Sequence, residues 1–210
     1  MAWQPSQFLK NEMKETIKKK ILIASHLYYP AKGGAENLAR QIATDCRDAG
    51  YDVTVLTTSA RSTGAFFLND KRRVESEALP DKGIKIIRVG FTSRFRRLLN
   101  LLFSIANRIS FPFSNRLKVY RYGPRSRSYY QRMIQLRPDM IISLPFPMLN
   151  TRYALQAARK MNIPLITVPC FHINDRYSFH NPVLFNILRG SDRIIALTET
   201  EKRFFVDGIG

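Results

Sequence analysis

The sequence predicts one doubly wound α/β domain with a mostly parallel sheet over residues 19–210, preceded by a polar extension, residues 1–18. Two observations carry this. Short apolar runs of strand length alternate with segments of helical period, the order that right-handed crossovers turn into a parallel sheet. The runs are also nearly continuous in apolar residues, as expected of strands covered on both faces. With 210 residues, 45% of them apolar, a core can form without staples.

Lys20 to Ser25 is the first strand, a short apolar run bounded by turn signals. Tyr28-Tyr29-Pro30 and Gly33-Gly34 delay the helix. From Ala35 the period changes: Ala35, Leu38, Ala39, Ile42, Cys46 and Ala49 share one face, and Gly50 is placed to stop the helix. Val53 to Thr57 is strand two. A long irregular segment, 59–83, leads to strand three, Ile84 to Val89. Residues 94–110 read as helical, and Tyr129 to Leu136 as a short helix closed by Arg137-Pro138. Met140 to Leu144 is strand four, Thr151 to Met161 a helix, and Leu165 to Val168 strand five. Asn181-Pro182 opens a helix in cap-then-proline order. Arg193 to Leu197 is strand six, and Thr198-Glu199-Thr200-Glu201 has the form of a capping box for a last helix. The sum is a Rossmann-like domain.

Open α/β sheets bind ligands outside the carboxyl ends of their strands. The candidates are therefore His26 to Glu36, Pro145 to Asn150, Pro169 to Tyr177 and Thr198. Gly33-Gly34 before a helix suits either a tight turn or an anion at the helix N-terminus. The third glycine of a dinucleotide fingerprint and the Gly-Lys-Ser/Thr of a phosphate loop are both missing. His172, just past strand five, is either structural or a catalytic contact. His26 is placed the same way after strand one, whereas His180 has no such placement. No His, Cys, Asp or Glu cluster has metal-ligand spacing, so neither a metal nor a cofactor is expected.

Charge marks out partners. The chain has 34 Lys and Arg against 16 acids, a formal charge of +18. Residues 82–138 hold fourteen of the basic residues and no Asp or Glu. Such runs are often plain solvated faces. Here Arg94, Arg96 and Arg97 stand beside Leu98, Leu102 and Phe103, which is the pattern of an interfacial helix on an anionic membrane. No run is long enough to span a bilayer and no secretion signal is visible. Two cysteines, Cys46 and Cys170, form no disulfide framework. The expected location is the cytoplasm, peripheral to the inner face of the plasma membrane.

Several segments resemble one family in order and spacing. Ile21 to Ser25, Tyr29-Pro30, Gly33-Gly34-Ala35-Glu36 and Leu38-Ala39 resemble the opening of glycosyltransferase family 4 enzymes. Gly50 to Val55, Arg137 to Ile142, Pro164 to Val168 with His172, and Ser191 to Glu199 are similar to later strand entries of that family. The resemblance implies the N-terminal, acceptor-side half of a two-domain GT-B fold. It implies sugar transfer with retention from a nucleoside diphosphate sugar to a glycan or lipid-linked acceptor. Gly33 and Gly34 would approach the donor phosphate or reacting centre, His172 would contact the sugar or acceptor, and Glu36 would belong mainly to the helix start. The histidine that often follows strand four in the family is missing here, where Pro145-Phe146-Pro147 stands. The family's second domain, with its E-x7-E acids, is not found. Transfer by this chain alone is expected to be slight, with a partner chain supplying the donor domain. Two other classes remain: a non-catalytic membrane or glycolipid-binding module, and a nucleic-acid binder drawn by charge; against the latter, the basic segment has no nucleic-acid recognition motif.

Overall fold

A computed structural model of the chain describes residues 18–67, 72–74, 81–93, 96–108, 114–175 and 179–208. Its strands are β1 (Lys20–Ser25), β2 (Asp52–Thr58), β3 (Lys85–Val89), β4 (Met140–Leu144), β5 (Leu165–Thr167) and β6 (Arg193–Ile194). They form one all-parallel sheet in the order β3-β2-β1-β4-β5-β6. The chain builds outward from β1 to one edge, then returns to build outward to the other. This reversal opens a crevice at the carboxyl ends of β1 and β4. The helices are α1 (Gly34–Asp48), α2 (Gly64–Phe67), α3 (Arg96–Arg108), α4 (Ser114–Tyr122), α5 (Arg127–Leu136), α6 (Leu149–Met161), α7 (Pro182–Arg189) and α8 (Glu199–Gly208).

Alternation along each strand sends neighbouring residues to opposite faces. Ile21, Ile23, Val53 and Val55 meet Ala39 and Ala43 of α1 on one face. Leu22, Ala24, Leu56 and Ile141 meet Tyr129 and Met133 of α5 and the alanines 154, 157 and 158 of α6 on the other. Small residues on the helices let both layers approach the sheet closely. A third cluster is aromatic: Phe146, Phe171, Phe179 and Phe205 pack beside Leu184 and Leu188 of α7.

Local chemistry sets the helix ends. Ser126 caps α5, its hydroxyl accepting from the Tyr129 N–H at 3.2 Å, so the helix begins two residues before the predicted Tyr129. Arg137 in the left-handed region then closes it ahead of Pro138. Asn181 caps α7 through Val183 N–H at 2.9 Å, with Pro182 in the first turn, as the sequence indicated. Helix α6 starts at Leu149 rather than Thr151 because Asn150 is drawn inward: its Nδ2 donates to the carbonyls of Leu144 (2.8 Å) and Ala24 (3.1 Å). Helices α2 and α4 were not predicted. The inward residues of α4 include Lys118, which obscures an apolar period. Strand β6 stops at Ile194 instead of Leu197, because the chain turns toward α8 after one short pairing with β5.

The hydroxyl of Tyr129, fully buried, shares its one proton between two carbonyls at 2.8 Å, that of Ser25 at the end of β1 and that of Leu56 inside β2. Removing one donor from a buried pair of acceptors leaves them unsatisfied, at about 1–3 kcal/mol. Tyr129→Phe should therefore fold but lose stability of that order, read as a lower urea midpoint at unchanged m-value.

Candidate active site

A cleft of about 940 Å³ lies at the carboxyl ends of β1, β4 and β5. All four candidate segments read from the sequence contribute to its wall: His26 with Gly34 to Glu36, Pro145 to Met148, Cys170 to His172, and Thr198. Among its described lining residues there is no Lys or Arg, although the chain carries +18. The wall is aromatic and apolar around two histidines and two carboxylates, Glu36 and Glu201.

The first wall is β1 running into α1. His26 is almost wholly buried, and its Nε2 lies 3.8 Å from Glu36 Oε1, beyond hydrogen-bond length. Burial pushes the imidazole down to about 3, so it is neutral at physiological pH and no ion pair forms. Glu36 is itself buried, on the third residue of α1. Its carboxylate curls back over the helix start, and a β-carbon built on Gly33 would fall well inside van der Waals contact of Glu36 Oε2. Gly33 has φ 172, an extended backbone open to any residue, so a side chain there would require only that the Glu36 carboxylate swing aside. Glu36 is thus more than part of the helix start. A phosphate reaching Gly33 would have to displace this carboxylate.

The second wall follows β5. His172 is exposed at the cleft, with its ring edge against Phe179 at 5.2 Å between centroids. Cys170, just before it, has φ 51, and burial pushes its thiol up to about 11, so it remains protonated and is no nucleophile. Glu201 holds this segment in place: Oε1 accepts from Phe171 N–H at 2.7 Å and Oε2 from Leu197 N–H at 2.6 Å. Thr198 Oγ1 accepts from Glu201 N–H at 3.1 Å. Half of the expected capping box is therefore present, and its acid serves the cleft. Glu201 was legible only as a helix signal, because its partner Phe171 is distant in sequence. His180 lies beside this wall, its Nε2 3.2 Å from the Ile173 carbonyl.

The chain matches the model of Glycosyltransferase Family 4 over residues 32–210. It belongs to glycosyltransferase family 4. No curated protein matches it. Family 4 enzymes take a nucleotide sugar and an acceptor. Among the described residues, no three His, Cys, Asp or Glu side chains are grouped to hold a metal ion.

The predicted membrane residues lie elsewhere, on α3. Arg94 falls outside the described residues, as does the side chain of Arg96. Arg97 is exposed. Leu98, Leu101, Leu102 and Ile105 are 42–57% exposed and, at spacings of three and four, form one outward apolar stripe. Phe103 belongs to the other face: it is buried, with the Arg121 guanidinium 4.6 Å from its ring centroid. Helical period places it four residues from Leu99 on the inward side, so it is removed from the membrane set. No helix among the described residues is long and apolar enough to cross a membrane.

In this family 4 domain, His26 should make stability depend on acid. Its folded pKa of about 3 lies below its ordinary 6.5. Above pH 6.5 both states are neutral and nothing is lost. Below it the unfolded chain takes up a proton that the folded chain refuses until about 3. Stability should then fall with a slope of about 1.4 kcal/mol per pH unit. Asp81, which the Arg40 guanidinium holds below the usual carboxylate range, adds its own loss only at the acid end. Urea titrations from pH 7 to 4 check this: His26→Gln should be flatter than the native protein, and equal slopes would show that His26 protonates in the fold.

Proposed function

We propose that this chain is the acceptor-side domain of a retaining glycosyltransferase. In this reading its cleft holds a glycan or the sugar end of a lipid-linked acceptor. The nucleoside diphosphate of the donor is gripped by a second domain, carried on the same or a partner chain. The observation that carries the reading is the lack of any Lys or Arg among the cleft's described lining residues in so basic a protein. A diphosphate is bound most strongly by charge-assisted donors, and no Lys or Arg among the described residues lines this cleft. Aromatic rings such as Phe171 and Phe179, with the neutral His26, His172 and two carboxylates, suit the apolar faces and hydroxyls of a sugar instead.

His172 is assigned to contact the acceptor or transferred sugar near the reacting centre, and His26 and Glu36 to bind acceptor hydroxyls. Gly33 and Gly34 give the close backbone approach. Because His172 is exposed and its side chain has no described hydrogen bond within the protein, His172→Ala should leave the melting temperature within about a degree. It should weaken glycan binding about tenfold, as loss of one good hydrogen bond to a ligand does. Saturation-transfer NMR with oligosaccharides, UDP and GDP reads both halves. Micromolar binding of UDP or GDP in the cleft would sink the acceptor assignment.

The same proposal places the domain on the inner face of the plasma membrane. The support is the outward stripe of α3 beside Arg97 and Arg108, within a segment free of acids. Apolar side chains entering the headgroup region and cations facing anionic lipid act together there. Sedimentation with phosphatidylglycerol vesicles should fall as salt rises, because screening shortens the reach of the charges. Leu101→Ser with Ile105→Ser should lower binding at least tenfold without unfolding the chain, as should Arg94, Arg96 and Arg97→Glu. Equal sedimentation with neutral vesicles would remove the membrane from the reading.

A further inference from the structure

We propose that Arg88 and Thr57 form an oxyanion-binding site, of a size for phosphate, at the carboxyl ends of β3 and β2. The inference goes beyond the acceptor reading, since neither residue lines the cleft. Thr57 and Arg88 are register partners in the parallel ladder, so their side chains leave the sheet side by side. They lie on the face that carries Val55 and Ile86, beneath the β1–α1 loop. Arg88 Nη2 donates to the Tyr29 carbonyl in that loop, which fixes the guanidinium in place. Its Nε and Nη1 are buried and meet no acceptor from the protein. Thr57 Oγ1, fully buried beside it, has no partner either.

Charge points the same way. Among the described residues no carboxylate pairs with Arg88. Asp81, the buried acid near Tyr28, is held by Arg40 through bonds of 2.7 and 2.6 Å and by the Tyr28 hydroxyl at 3.3 Å. Burial lowers the Arg88 pKa, and the Tyr28 phenol is the group that opposes this. A guanidinium taken partly out of water without a counter-ion is costly, and buried donors are costly to leave unpaired. Two N–H groups, one hydroxyl and a net positive charge are what a phosphate oxygen pair requires. The Arg88 residue as a whole is half-buried and β3 is the outermost strand of the sheet.

Calorimetric and thermal-shift titrations of the whole chain with sodium phosphate, against sodium chloride at matched ionic strength, test this. Phosphate should bind at least tenfold tighter than chloride. Arg88→Gln, which keeps an amide donor for the Tyr29 carbonyl, should lose that preference. Thr57→Val has the shape of threonine and removes a hydroxyl that the fold does not use. It should therefore melt no lower than the native chain in phosphate-free buffer, yet bind phosphate several-fold more weakly. If Arg88→Gln does not fold, Thr57→Val decides alone. Vesicles of phosphatidate against phosphatidylcholine, with Arg97→Glu as background, tell a lipid headgroup from a free phosphate: binding by either source through Arg88 supports the site. Equal binding of phosphate and chloride with no phosphatidate preference, native affinity in Thr57→Val, or a lower melting point of Thr57→Val without phosphate would each overturn it. His172→Ala should keep phosphate binding, so failure here and failure of the acceptor reading are separable.

Discussion

The ends of the central strands must be closed before a cleft can exist above them. Parallel ladders leave carbonyls at their carboxyl ends with no next strand residue to bond, and in the dry interior such groups need donors. Tyr129 from α5 supplies one hydroxyl to Ser25 and Leu56. Asn150 from α6 supplies its amide to Ala24 and Leu144. The Ser25 hydroxyl turns the chain by donating to the Leu27 carbonyl at 2.7 Å. Three polar side chains thus define the floor, and His26, Pro145 and the residues beyond them are placed by where the strands stop. The cleft walls inherit their precision from helices on the opposite face of the sheet, which never touch a ligand.

Polarity is segregated between the cleft and the outer surface. Basic residues are concentrated in residues 82–138, whereas the cleft presents two carboxylates, His172 and the neutral His26. Each acid there is committed to a local task. Glu201 joins two backbone N–H groups from separate loops, and Glu36 fills the space over Gly33. The long-range field of the whole chain and the short-range chemistry of the cleft are therefore opposite in character: strongly cationic overall, aromatic with two acids and no described Lys or Arg within.

Strand positions and the location of the cleft were legible because both follow from apolar runs and from one topological rule. Strands β1 and β4 have the bounds that the sequence indicated. Helix α4 was hidden because Lys118 turns inward and breaks the apolar period. The roles of Glu36 and Glu201 were only half visible. Each occupies the third position of a helix, where an acid is expected on capping grounds, and nothing local to Glu201 announces Phe171, 30 residues away. Phe103 was read outward with its leucine neighbours because composition alone does not assign a face; only the position of Arg121 across from it does. Arg88 and Thr57 carry no motif at all. They became visible through the register of β2 with β3 and through which of their polar atoms meet no partner.

The contact between Gly33 and the Glu36 carboxylate has a consequence for how the domain changes over evolutionary time. Because the backbone at 33 is extended, no dihedral constraint favours glycine there; the volume claimed by the side chain three residues on does. The two positions are therefore coupled. Where a homologue shortens residue 36, a β-carbon at 33 meets nothing, and where it keeps the glutamate, a β-carbon at 33 requires the carboxylate to move off the helix start. Aligned family members should show this as coupled substitution, with alanine or serine at 33 enriched among sequences that have lost the long acid at 36.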